Sequence, residues 1–199
     1  MTISEIDQVK LFDSFPDNLT NPQIQQLGCV GGRNMESKLI IIRGNSRSGK
    51  TTTAQSLQNH LGYGTLLVSQ DVVRREMLKV HDREGNLSID LIRQIAEYGK
   101  DKCEFVIVEG ILYKSRYGEM LHNLIQFYNQ KTDTYYFDLS FEETVKRHNN
   151  SSKTMEFGED SLRAWWNPND YLGVGGETIL TNDMSQNDVL KLILNQLQK

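Results

Sequence analysis

The residues Gly44-Asn45-Ser46-Arg47-Ser48-Gly49-Lys50-Thr51 carry the strongest chemical signal in the chain. They spell G-x-x-x-x-G-K-[ST], a loop that cradles phosphates. Gly44 and Gly49 let the backbone fold tightly, so that successive N–H groups point at phosphate oxygens. The helix opening at Lys50 presents its N-terminal amides and dipole to the same anion. Lys50 has the reach to meet β- and γ-phosphates, and the Thr51 hydroxyl is a ligand for Mg²⁺. Gly44 through Thr52 is therefore the candidate nucleotide-binding segment, with Lys50 also a catalytic candidate.

A nucleotide site of this kind needs a carboxylate at the end of a buried strand. The run Phe105-Val-Ile-Val108 leads into Glu109-Gly110, which makes Glu109 the candidate metal-holding and catalytic carboxylate. The alternative for Glu109 is a solvated strand end. Asp138 also ends a strand, but Ser140 starts a helix beside it, so Asp138 can serve that turn alone. Asp71 follows the second strand, at the edge where open α/β sheets bind ligands. It is placed to accept a proton from a substrate hydroxyl. Arg74 lies one helical turn on, facing the same substrate, and the pair can equally be a local i,i+3 salt bridge.

Phosphoryl transfer also needs positive charge on the leaving oxygens and exclusion of water. The stretch 147–166 is the candidate lid, with Arg147, Lys153 and Arg163 as its cations and Arg147 a catalytic candidate. Phe157-Gly158-Glu159 is a candidate hinge, and Trp165-Trp166 reads as packing more than as a base-stacking platform. Asn129-Gln-Lys-Thr-Asp133 faintly resembles the guanine-reading NKxD, but it has an extra residue and precedes a strand.

The elements that must position these groups alternate. Leu39–Ile42 reads as a strand buried on both faces, and Lys50–Leu61 as a helix closed by Gly62. Strands follow at Thr65–Ser69, Phe105–Val108, Tyr135–Leu139 and Thr178–Leu180. Helices are expected at Asp71–Val80, Ser88–Lys100, Tyr117–Tyr128, after the capping box Ser140-Phe-Glu-Glu143, and at Ser185–Gln198 with Ser185 as N-cap. Residues 150–177 show no clear periodicity. Such alternation means βαβ units and a parallel sheet. Residues 1–37 read as a partly irregular extension, with Ile3, Ile6, Val9 and Leu11-Phe12 its only apolar cluster. Residues 38–199 form the domain, and Met35 is a possible start of a shorter product.

The chain has 199 residues, the size of one ordinary domain. Its net charge of −4 disfavours a general nucleic-acid binder held by bulk positive charge. No apolar run approaches the roughly 20 residues that cross a bilayer, and the N-terminus lacks a secretory pattern. Cys29 and Cys103 form no CxxC, which fits a reducing cytoplasm. The four histidines make no metal-binding pair.

The phosphate loop, Asp71-x-x-Arg74, the Val108-Glu109-Gly110 strand end and the Phe141-Glu-Glu-Thr-x-x-Arg147-His148 helix occur in the order seen in P-loop kinases. The chain resembles the group that includes zeta toxins, chloramphenicol phosphotransferase and the kinase half of polynucleotide kinase, over about residues 38–198. The resemblance implies a three-layer α/β/α P-loop NTPase sandwich with a five-stranded parallel sheet in the order 2-3-1-4-5. It implies ATP with Mg²⁺ and transfer of the γ-phosphate to a hydroxyl. Asp71 matches the group's catalytic aspartate, Arg74 its substrate-side arginine and Arg147 an arginine near the start of the lid. Thr181-Asn182-Asp183 falls where such kinases build the adenine pocket. Arg47 departs from the pattern, where a small residue is common.

The expected activity is phosphorylation of a small polar acceptor, whether sugar, nucleoside or nucleotide-sugar. The acceptor walls are expected from residues 71–93 and 110–120, including Arg74, Arg75, Tyr113, Lys114 and Arg116. A zeta-type toxin kinase, a non-catalytic ATP-binding regulator and a polynucleotide 5′-kinase are the competing readings, the last opposed by the acidic balance.

Overall fold

The computed structural model describes residues 36–149 and 158–198. The expected extension before Glu36, together with Lys153 and Phe157, lies outside the described residues. The first described segment is anchored, since the Ser37 hydroxyl donates to the Cys103 carbonyl (2.6 Å) and accepts from the Asp101 amide (2.7 Å).

Five strands form one parallel sheet. They are β1 (Lys38–Gly44), β2 (Thr65–Ser69), β3 (Phe105–Gly110), β4 (Thr132–Phe137) and β5 (Thr178–Leu180). The order across the sheet is β2-β3-β1-β4-β5, as the kinase resemblance implies. The apolar run of β1 supplies both faces. Leu39 and Ile41 pack with Ile92, Ala96 and Leu121 on one side, while Ile40 and Ile42 pack with Leu57, Tyr135 and Ile193 on the other. The covering helices on the first side are α2 (Leu87–Gly99) and α3 (Lys114–Phe127), and on the second α1 (Lys50–Leu61) and α6 (Gln186–Leu197). The result is a three-layer α/β/α sandwich.

Local chemistry sets the helix ends. Gly62 closes α1, its amide donating to Gln58 O (2.8 Å). Ser185 caps α6 as expected, in a reciprocal capping box with Asp188. Helix α4 (Phe141–Asn149) shows only half of its expected box. The Glu143 amide donates to Ser140 Oγ (3.2 Å), but the Ser140 amide goes to Asn182 Oδ1 (3.2 Å) and the Glu143 carboxylate to Arg147 (2.8 Å).

Two elements differ from the sequence reading. The helix expected over Asp71–Val80 shrinks to one wide turn, Val72–Met77, closed by bonds from Leu78 N to Val73 O (3.1 Å) and from Val80 N to Arg74 O (2.9 Å). Lys79 adopts a left-handed conformation (φ 53°) and reverses the chain where glycine is the usual residue. A short helix, α5 (Glu159–Trp165), stands in the stretch read as irregular. Leu162 is its one buried residue, too few to give a periodic signal.

The strand ends share one register. Gly44 lies opposite Phe137, Arg43 opposite Gly110, and Ser69 opposite Glu109, so four strands deliver their last residues to the same edge. Beneath that edge lies Arg43, whose side chain is 0% exposed. Its guanidinium donates twice to Leu112 O (3.1 and 3.0 Å), to Asp170 Oδ2 (2.9 Å) and to Glu177 Oε1 (3.3 Å), and it lies over the Tyr136 ring. Burial lowers the Arg43 pKa from its ordinary value, and the two carboxylates oppose that shift. Arg43→Gln leaves two carboxylates with a neutral partner, and a loss of about 3–5 kcal/mol in urea-unfolding stability is expected. A loss below about 1 kcal/mol, the range of an exposed pair, would contradict this reading of the cluster.

Candidate active site

The turn after β1 needs conformations that side chains resist. Gly44 has φ 141°, and a Cβ there would lie 2.8 Å from Phe137 Cβ and from its carbonyl oxygen. Gly49 has φ 101° and leads directly into α1. Between them the loop folds back on itself, as the spacing predicts. Arg47 sits in the left-handed region (φ 63°), a position its side chain type does not favour.

Lys50 is buried at the head of α1. Its ammonium donates to Asn45 O (2.6 Å) and Ser48 Oγ (3.1 Å). Burial pushes its pKa down to about 8; Glu109 and Asp71 raise it, and Arg47 lowers it further. Glu109 lies inside β3 and is buried, so it is no solvated strand end. It accepts from Ser69 Oγ (2.5 Å) and from Thr51 Oγ1 (3.1 Å). The two residues expected to hold Mg²⁺ thus meet. Among the described residues no three His, Cys, Asp or Glu side chains converge. A sparse set of hard oxygens fits Mg²⁺, which at phosphoryl-transfer sites takes most of its ligands from phosphates and water.

Arg147 reaches back from α4 to the loop. Its Nη1 donates to Ser48 O (2.9 Å), while Nε is held by Glu143 (2.8 Å). Arg163, another expected lid cation, pairs instead with Glu159 (3.0 Å) and lies over the Phe141 ring (4.2 Å). Trp165 and Trp166 do reach the cavity, and Trp166 packs edge-on against Phe141. Asp138 serves a structural contact, accepting from Tyr171 OH (2.6 Å).

One cavity of about 1320 Å³ runs along this edge of the sheet. The phosphate loop forms its floor from Ser46 to Thr53. One end is walled by Met184, Gln186 and Val189, just past the Thr181–Asp183 loop that position alone suggested for adenine. The other end holds Asp71, Arg74, Asp82, Tyr113 and Arg116. Asp71 is 63% exposed and shared by Arg74 Nη2 and Arg75 Nε, both at 3.1 Å. The i,i+3 ion pair therefore forms, and it forms at the cavity wall. Lys114 does not line the cavity; its ammonium lies beside Gly173, and its backbone amide donates to Asp170 (2.9 Å).

Three contributors carry little or no sequence signal. The Asn45 side chain, read as part of the nucleotide cradle, pairs with the Asn167 backbone through both its amide nitrogen and oxygen (2.9 Å each). Gln70 is buried and accepts from Leu112 N (3.1 Å), beneath Gly110, where a Cβ would collide with it at 2.4 Å. Tyr113 OH donates to the Trp165 carbonyl and joins the exit of β3 to the end of α5.

No family model and no curated protein matches the chain. Solved structures do. A gluconokinase from Sinorhizobium meliloti aligns with a TM-score of 0.61 at 13% identity, over 83% of this chain and 94% of its own. The APS kinase of Mycobacterium tuberculosis, in complex with AMPPNP and APS, aligns with a TM-score of 0.60 at 14% identity, over 82% and 99%. A tunicamycin resistance protein from Deinococcus radiodurans gives 0.57 at 15% identity, over 81% and 95%. At these identities the likeness shows the fold alone, a three-layer α/β/α sandwich shared with these proteins.

The depressed Lys50 pKa sets a pH dependence. Its folded value of about 8 lies below the ordinary 10.5, so the buried charge is unfavourable at low pH and is shed as pH rises through 8. A phosphate ligand favours the charged form and reverses the shift. Affinity for a non-hydrolysable ATP analogue is expected to fall as pH rises above about 8, with proton uptake on binding. Calorimetry in buffers of different ionisation enthalpy checks this, and Lys50→Arg should abolish the uptake. A flat profile from pH 7 to 9.5 would contradict it.

Proposed function

We propose that the chain is an ATP- and Mg²⁺-dependent phosphotransferase that moves the γ-phosphoryl group to a hydroxyl of a small polar acceptor. The observation that carries this reading is one continuous cavity along the strand ends. It exposes the phosphate loop at its centre and Asp71 at its far end, and it exceeds the roughly 300–1,000 Å³ that one ligand commonly occupies. Two substrates fit along it, with the loop between them.

In this reading Met184 and Val189 flank the base, and the loop amides with Lys50 and Arg147 bind the phosphates. Thr51 and Glu109 hold Mg²⁺, and Ser69 orients the Glu109 carboxylate. When bound there, that ion would neutralise negative charge developing on the phosphate oxygens. Asp71, held by Arg74 and Arg75, accepts the hydrogen bond of the acceptor hydroxyl and takes its proton. The acceptor oxygen forms its bond to the γ-phosphorus as the bond to the β–γ bridging oxygen breaks, and ADP leaves with that electron pair. Arg147 and Lys50 stand on the side where the leaving charge appears. The zeta-type reading uses the same donor machinery and differs in the acceptor alone.

Lys50→Ala is expected to lose ATP binding while its circular dichroism stays that of the parent. Asp71→Asn should keep ATP affinity, with kcat lowered by about 10² or more against an acceptor found by screening with radiolabelled ATP. Full turnover in Asp71→Asn would leave Asp71 a mere partner of Arg74 and Arg75 and move the base to Glu109. A chain beginning at Met35 should bind ATP as the full chain does, because the anchored segment starts at Ser37. Loss of nucleotide binding in that shorter chain would place the extension within the functional unit.

A further inference from the structure

The charges at the far end of the cavity do not balance. Arg74, Arg75, Arg83 and Arg116 line it against the carboxylates of Asp71 and Asp82, an excess of two positive charges in a chain whose net charge is −4. The phosphate-binding cations lie apart from these, around Lys50 and Arg147. Arg74 and Arg75 are both engaged with Asp71. Asp71 balances one of that pair and Asp82 balances Arg116, so one surplus charge rests on the Arg74 and Arg75 pair and the other on Arg83.

Arg116 is preset. Its Nη1 donates to Asp82 Oδ2 (2.8 Å), and its guanidinium lies over the Tyr113 ring (5.0 Å). The other Asp82 oxygen accepts from Tyr117 OH (2.7 Å), so the carboxylate is held on both sides. Tyr117 is itself buried, beside Asn86 and Ser88. One of the five guanidinium donors is used by Asp82, and the Arg116 side chain remains 34% exposed toward the cavity. Arg83 is anchored through its backbone, its carbonyl accepting from both the Asn86 amide (3.2 Å) and Asn86 Nδ2 (2.7 Å). Its guanidinium has no carboxylate partner among the described residues. Asn86 also caps α2, so the cap of one helix fixes the position of one arginine and steadies the tyrosine behind the other.

Resting on the phosphotransferase reading, we propose that the acceptor is an anionic alcohol. Arg83 and Arg116 bind its oxyanion, a phosphate or a carboxylate, while its hydroxyl faces Asp71. A guanidinium fork matches both oxyanions, and a positive concavity in an acidic protein draws such a ligand to the one place where it is complementary. A neutral sugar or nucleoside would leave the net excess of positive charge at this end unneutralised.

The test separates this claim from the nucleotide reading. The protein is first saturated with a non-hydrolysable ATP analogue and Mg²⁺, which gives its own rise in Tm. If that first rise is absent, the nucleotide reading falls. Sulfate is then titrated against chloride at constant ionic strength. A second, saturable rise is expected in the parent. Its midpoint should move about tenfold or more upward in Arg83→Gln and in Arg116→Gln. Arg93→Gln, a half-buried α2 residue outside the cavity, should leave it unchanged. Arg83→Gln guards against misfolding, because it breaks no ion pair. No sulfate response in the parent, or an unaltered response in both cavity variants, overturns the proposal. Paired ligands then identify the oxyanion: glucose against gluconate and glucose 6-phosphate, and uridine against its 5′-monophosphate. The anionic member of a pair should stabilise the complex more, and a neutral member that outperforms its anionic partner overturns the proposal.

Discussion

A guanidinium removed from water must find partners in every direction its donors point, and Arg43 finds them in two separate segments. Asp170 and Glu177 come from the chain after α5, and the Leu112 carbonyl from the exit of β3. Each partner is itself tied. Asp170 accepts the first amide of α3, and Glu177 accepts the amides of Leu172 and Gly173. Leu112 is buried with φ 45°, a conformation that persists only where surroundings over-determine it. Gln70 holds its amide and Arg43 its carbonyl. The residue immediately before the phosphate loop thus holds the β3 exit and the 167–177 chain in register with that loop.

The cavity inherits its charge pattern from this arrangement. An acidic chain concentrates its cations along one concave edge, where low-dielectric walls strengthen their field. Burial alone would neutralise such groups, and Lys50 shows the tendency, its pKa lowered to about 8. Glu109 and Asp71 counter it from two sides. The carboxylates expected to do chemistry therefore also help keep the principal cation charged.

Legibility in the sequence followed the range of the interaction. The strand–loop–helix unit from Lys38 to Leu61 was readable because an apolar run, two glycines and Gly62 are all local signals. The place of Glu109 was readable from the apolar run that leads into it, and that of Arg147 from its helix within the kinase resemblance. The wide turn at Val72–Met77 was not, because it ends on a lysine in a conformation usually left to glycine. Helix α5 was hidden for want of apolar residues. The pairing of Asn45 with Asn167 joins residues 122 apart, and no spacing rule can find it. Arg43 merely follows the apolar run read as the first strand, and only the sheet register shows it lying beneath the cavity.

The same long-range contacts explain how a loop of small and polar residues can be ready for a ligand. The loop is pinned at Asn45 from the 167 side and at Ser48 from α4 through Arg147. Lys50 bridges the two pinned residues, bonding to the Asn45 carbonyl and the Ser48 hydroxyl. A loop free in solution would lose about 1–2 kcal/mol of backbone entropy per residue on ordering around a phosphate. Here that ordering belongs to folding, so the interaction with an incoming anion is not reduced by it. Exchanging the two Lys50 contacts for phosphate oxygens is the remaining rearrangement. Because the Asn45 side chain and the Arg147 guanidinium hold the loop independently of Lys50, the cradle keeps its shape while that exchange takes place.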